Sequence, residues 1–201
     1  VSQRPDWNSL FDGGVGLSAP FNTGNFDNYG GVTLSVDNKE MIICACKQAS
    51  SKDQFSGGEP YLNCDLYSTT YMRTGKGGND YVWTELKNLG PNINGKNSWE
   101  AQPTLSADGN TLYFTKLSQY TMKEDIYYSE RADDGSFGTA KPLAEINTRG
   151  RDKAAFLHQD SQTLYFASDT DPNCEGCRLG LGGLDIFYTR KGPDGKWQTP
   201  K

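Results

Sequence analysis

The feature that most restricts the fold of this chain is an internal repeat. Gln102-Pro103-Thr104-Leu105-Ser106-Ala107-Asp108-Gly109-Asn110-Thr111-Leu112-Tyr113-Phe114 is echoed by Ala155-Phe156-Leu157-His158-Gln159-Asp160-Ser161-Gln162-Thr163-Leu164-Tyr165-Phe166. A weaker copy is Gly31-Val32-Thr33-Leu34-Ser35-Val36-Asp37-Asn38-Lys39-Glu40-Met41-Ile42-Ile43. A second element follows each copy, and its Asp65, Asp125 and Asp185 stand 60 residues apart. A third begins at Trp83, Phe137 and Trp197, and a fourth, Leu89-Gly90-Pro91-Asn92-Ile93-Asn94, returns as Leu143-Ala144-Glu145-Ile146-Asn147-Thr148. Each unit thus holds four short extended segments. Asp108-Gly109 predicts a two-residue hairpin with positive φ at both positions. The Asp-Gly turns ending at Gly135 and Gly195 lead into a fourth strand anchored by Phe137 or Trp197.

Four antiparallel strands in about 50–60 residues predict a propeller blade. One such sheet cannot bury both faces, so neighbours must stack. The predicted class is all-β: a β-propeller of four-stranded antiparallel blades. Its parts are a partial blade or linker at 1–24, a blade at 25–90 with an insertion at 47–63, a blade at 91–147, and a blade at 148–201. Three blades and a partial one fall short of the 4–8 that close a ring, so a fragment of a larger propeller is expected. The start at Val1, with no signal peptide, reads as a mature or excised piece.

Composition agrees with this reading. Hydrophobic residues make up only 35%, low for one large core, while aromatics reach 12%. A net charge of -5 argues against a nucleic-acid partner, which needs clustered Lys and Arg. No apolar run is long enough for a transmembrane segment. His158 is the only histidine, which disfavours a Ser-His-Asp triad or a Cys/His zinc site.

The units resemble the TolB-like (WD-like) propeller repeat, on Pro103, the stretch from Ser106 to Phe114, and Gly182-Gly183-Leu184-Asp185-Ile186-Phe187. With Ile146-Asn147-Thr148 between repeats, the chain is similar to Bacteroidetes envelope proteins that join such a propeller to an OmpA-type peptidoglycan-binding domain. PorE-like components of the type IX secretion system belong to that group. The resemblance covers about residues 25–201. It implies a non-catalytic protein-binding or scaffolding module, periplasmic and associated with the outer membrane. The implied partners are envelope proteins, including outer-membrane or secretion-complex subunits. Peptidoglycan would be reached only through an OmpA-type domain, of which this chain carries no segment.

If the strands run outward in order, the long loops at 47–63, 91–98, 117–123, 145–152 and 170–183 share one face. Binding residues concentrate on such loops, so Arg149, Arg151, Lys153, Lys123, Asn97 and Trp99 are the partner-binding candidates. The bland alternatives are solvated loops and, for Trp99, packing between blades. Cys46 and Cys64 face each other across a hairpin and predict a disulfide. Cys174-Glu175-Gly176-Cys177, in a Gly-rich loop, predicts a loop-pinning disulfide over a redox motif. Cys44 is expected buried and free, and disulfides imply an oxidising compartment. No cofactor is expected, apart from a calcium candidate at Asp169, Asp171 and Asn173. Asp65, Asp125 and Asp185 read as structural carboxylates because they recur. The alternative function is a glycan-binding or glycoside-hydrolase-type propeller, which needs two unrelated acids converging within about 5–10 Å.

Overall fold

The computed structural model describes residues 4–48, 62–73, 81–96, 98–118 and 122–201. Asn97 and most of the predicted insertion lie outside them. The chain is all-β, with no helix among the described residues. The first sheet is a meander of β1 (Asn28–Leu34), β2 (Glu40–Gln48), β3 (Leu62–Arg73) and β4 (Tyr81–Trp83), with β5 (Lys87–Asn88) also on β3. The second runs β6 (Trp99–Leu105), β7 (Thr111–Ser118), β8 (Lys123–Glu130) and β9 (Lys141–Pro142). The third runs β10 (Asp152–Leu157), β11 (Thr163–Asp169) and β12 (Leu184–Arg190). Its fourth position is marked by reciprocal 2.9 Å backbone bonds between Tyr188 and Lys201.

Consecutive sheets pack face to face. Ile42, Cys44 and Leu66 of the first sheet meet Leu105, Leu112 and Phe114 of the second. The other face of the second sheet turns Tyr113 and Ile126 toward Leu157, Leu164 and Phe166 of the third. Burial on both faces explains why Leu112-Tyr113-Phe114 shows no polar alternation. The first strands are stitched together: the Leu105 N–H donates to Thr33 Oγ1 at 3.2 Å, and the Leu157 N–H to Thr104 Oγ1 at 3.1 Å. Each of these strands breaks register at the same place, between Tyr29 and Val32, Ala101 and Thr104, and Lys153 and Phe156. Such bulges bend the strand and leave an unpaired residue. Here that residue is used: the Ala154 N–H donates to Gln102 Oε1 at 3.0 Å.

The hairpin turns differ from the sequence expectation. In Ser106–Thr111 only Gly109 takes a positive φ, 74°, and its counterparts are Asn38 at 57° and Ser161 at 53°. The turn is wider, closed by the Ser106 N–H on the Thr111 carbonyl at 2.9 Å. Asp108 instead accepts the Asn110 N–H, as Asp37 does from Lys39 and Asp160 from Gln162. This is an Asx turn, so Asp recurs for its acceptor oxygen. Hydroxyl bonds from Ser35 and Ser106, then the turn amides, hold the Asp37 and Asp108 carboxyls below the usual range. The fourth strands are also slighter than expected. Phe137 and Trp197 join only as single bridges to Arg131 and Lys191. They anchor by burial, with those cations 4.3 Å and 5.1 Å from the ring centres.

Candidate functional site

The loops sort to two ends of the sheets. Turns 35–40 and 106–111 meet around Arg131 at one end, as residues 160–162 meet 191–195. At the other end, Thr148, Arg149 and Gly150 lie beside Lys123 and Asp125 around a cleft of about 370 Å³. The 174–177 loop closes over this second end, and Cys177 and Asp169 crowd Gly150 so tightly that a Cβ there would collide. Both expected disulfides are formed, Cys46–Cys64 and Cys174–Cys177, and Cys44 is free and buried.

Four of the six partner-binding candidates converge at this second end. Lys153 pairs with Glu124 at 2.6 Å, Arg151 with Asp169 at 3.1 Å, and Arg149 with Glu175 at 3.9 Å. Lys123 Nζ donates to the Arg149 carbonyl. Of these, Arg149 and Glu175 form a solvent-exposed pair, which contributes about 0–1 kcal/mol, so a partner's carboxylate can replace the internal one at Arg149. Trp99 is half-buried against the core between the first two sheets; Asn97 lies outside the described residues. In the calcium candidate, Asp169 is occupied by Arg151 and the Asp171 amide. Asp171 accepts from both the backbone and side-chain amides of Asn173.

Arg178 escaped the sequence reading. Its guanidinium donates to Asp152 Oδ1 and Ser168 Oγ, both at 2.6 Å, and to the Ile146 carbonyl, with Phe166 4.9 Å away. Asp152 is fully buried, and its second oxygen accepts the Thr148 N–H at 2.6 Å and hydroxyl at 2.7 Å. Arg178 therefore ties the disulfide loop to the root of the third sheet. Glu100 holds the equivalent register position in the second sheet, opposite Lys116 as Asp152 is opposite Ser168. It is fully buried, pairs with Lys116 at 2.9 Å and accepts from Ser98. Burial pushes its carboxyl up. Only the register, set by pairing each acid across the first hairpin, could have exposed these two positions.

The three recurring aspartates are not equivalent. Asp65 accepts from the Asn63 and Asn88 amides, and Asp185 from the Thr170 hydroxyl and the Leu181 N–H. Asp185 caps a loop amide, as the recurrence implied, whereas Asp65 holds asparagine side chains of β3 and β5. The Asp125 carboxyl makes no hydrogen bond among the described residues. Burial, and secondarily the Asp152 charge, push it up to about 6. The unfolded value is about 3.9, so folding favours the neutral acid. That contribution is full below about pH 4 and is lost as the pH rises through about 6. Asp125→Asn is therefore expected to melt above the parent chain at pH 7, with the difference vanishing by about pH 4. Thermal melts at the two pH values check this; equal melting at pH 7 would contradict it.

No protein-family model matches the chain, and no curated protein matches it in sequence. The fold alone gives its class: an all-β chain of antiparallel sheets with two disulfides, in which no described helix is long and apolar enough to cross a membrane.

Proposed function

We propose that the three sheets are consecutive blades of a β-propeller, and that the chain binds or scaffolds envelope proteins without catalysing a reaction. The reading places it in the periplasm at the outer membrane, with secretion-complex subunits, including those of type IX systems, among its partners. The observation that carries the radial arrangement is the repeated first-strand joint, Thr33 to Leu105 and Thr104 to Leu157. Sheets related twice by the same step at their first strands splay outward from a common axis, as blades do. Binding is supported by the loop end, where Arg149, Arg151, Lys153 and Lys123 gather on segments held by a disulfide and a buried ion pair. The reading favours an acidic protein surface as the contact.

The test is capture of specific partners from envelope extract on the immobilised chain. Arg149→Glu with Arg151→Glu is expected to cut the captured amount about tenfold, or about 1.4 kcal/mol. The strand signal in circular dichroism should be unchanged. Failure to recover any specific partner, or equal capture by the variant, would count against the reading.

One observation favours a glycan-cleaving alternative. Asp125, raised to about 6, lines the cleft beside Thr148, Arg149 and Gly150; a carboxyl that titrates close to neutral pH suits general-acid work. Hydrolysis of a glycan panel, lost in Asp125→Asn, is the outcome that alternative requires.

A further inference from the structure

Three sulfurs converge at one place in the first sheet. Cys44 and Cys46 lie two residues apart on β2, hence on one face, and Cys64 stands opposite Cys46 on β3. All three are buried, and their Sγ atoms lie within 4.8 Å of one another. The cross-strand disulfide uses two of them. Cys44 keeps its thiol, 3.8 Å from Cys46 Sγ and 3.6 Å from the Glu100 carbonyl.

The hairpin does not call for sulfur here. By register, Cys44, Cys46 and Cys64 correspond to Thr115, Leu117 and Glu124 in the second sheet, and to Ala167, Asp169 and Leu184 in the third. The same hairpin thus forms twice without a thiol, and the trio belongs to the first sheet alone. Its surroundings suit a soft ion. Ile42, Leu66 and Ala101 pack in the same cluster. β1 approaches so closely that a Cβ on Gly30 would lie 3.1 Å from Cys44 Sγ. A metal held in a plane by three thiolates at about 2.3 Å has sulfurs about 4 Å apart, and the Cys44–Cys46 spacing already meets this. Asp65 and Glu100 bring charge near Cys44, but carboxylate oxygens are hard donors that a soft ion ranks below thiolate. His158, the only histidine, lies just beyond β10 in the third sheet. Structural zinc takes four ligands, so three sulfurs in a buried apolar pocket fit copper(I) better.

We propose that Cys44, Cys46 and Cys64 form a three-coordinate copper(I) site that opens when the Cys46–Cys64 disulfide is reduced. A dithiol supplies the two electrons and two protons and leaves as a disulfide itself. Copper(I) then displaces the thiol protons to solvent without changing its own oxidation state. The β2–β3 ladder runs from the Glu40–Thr70 pair to the Gln48–Leu62 pair, so backbone pairing holds the three residues once the S–S bond is broken. The disulfide is the closed form of the site, and the oxidised chain offers copper a single buried thiol there. The inference is independent of the partner-binding reading.

The test uses the full chain carrying Cys174→Ser and Cys177→Ser, which removes the other pair of sulfurs. The chain is reduced with dithiothreitol, freed of it without oxygen, and titrated with copper(I) against the coloured chelator bathocuproine disulfonate. It is expected to take a single copper, surrounded by sulfur alone in X-ray absorption. Before reduction it should take none. The third sheet carries Ala167 at the Cys44 position, so Cys44→Ala should fold. It should weaken binding at least about tenfold, the smallest usual effect of losing even a ligand's own hydrogen-bond partner. Copper left wholly with the chelator, equal affinity without Cys44, or uptake by the oxidised chain would overturn the proposal. So would loss of the strand signal in circular dichroism on reduction, since the site depends on the ladder.

Discussion

Replacing Arg178 by methionine is expected to destabilise the chain by about 3–5 kcal/mol, the usual consequence of removing one partner from a buried ion pair. The size comes from what remains. Asp152 is fully buried, and only the Thr148 and Ser168 groups would still solvate its charge. The Ile146 carbonyl would lose a donor as well. Methionine keeps the apolar stem packed on Phe166, so the loss reports the charge more than the volume. The double variant Asp152→Asn with Arg178→Met should recover most of it. The asparagine oxygen can still accept from Thr148, and its amide can donate to Ser168. Denaturant unfolding of the two variants measures both numbers. A loss below about 1 kcal/mol for Arg178→Met would mean that the pair behaves as a surface bridge. The effect bears on binding because the guanidinium fixes the loop that crowds Gly150 and presents Glu175 to Arg149.

What the sequence displays is what recurs locally. The Leu-Tyr-Phe strands, the Asp-Ile strands and the Cys46–Cys64 pairing follow from short-range pattern and period, because a strand's neighbours are close in sequence. The Asp-Gly signature marked the turn but not its geometry, since an Asx bond and a positive φ leave the same two letters. The buried acids were illegible for a different reason. Asp152 sits in an Arg-Asp-Lys run that reads as a solvated loop, and its cation lies 26 residues on, in a glycine-rich segment without period. Contacts of that kind belong to tertiary placement. Trp99 shows the converse: an aromatic at a strand entrance fits a binding anchor and a packing residue equally well, and only the neighbouring sheet decides.

Asn94→Ala is expected to cost about 2–4 kcal/mol, more than an exposed loop asparagine would. The recurring Ile-Asn pair looks like a turn former, yet its amide plugs an open strand edge. Oδ1 accepts the Leu66 N–H at 2.9 Å, and Nδ2 donates to the Leu66 carbonyl at 2.9 Å and to Asn88 Oδ1 at 2.8 Å. Leu66 is fully buried, so no water can replace the acceptor for its N–H. An unsatisfied buried group costs about 1–3 kcal/mol, and the second bond adds to it. The Leu66 carbonyl keeps the Leu89 N–H at 3.0 Å, which limits the total. Asn94→Asp should do no better than alanine, because a carboxylate oxygen would face the Leu66 carbonyl and Asn88 Oδ1 where a donor is required. Asn22→Ala supplies the internal comparison. Its amide donates to the Leu17 carbonyl and to no strand edge among the described residues, so its unfolding free energy should stay within about 0.5 kcal/mol of the parent. A loss at Asn22 as large as that at Asn94 would mean that the asparagine acts through its own turn, and not through the neighbouring sheet.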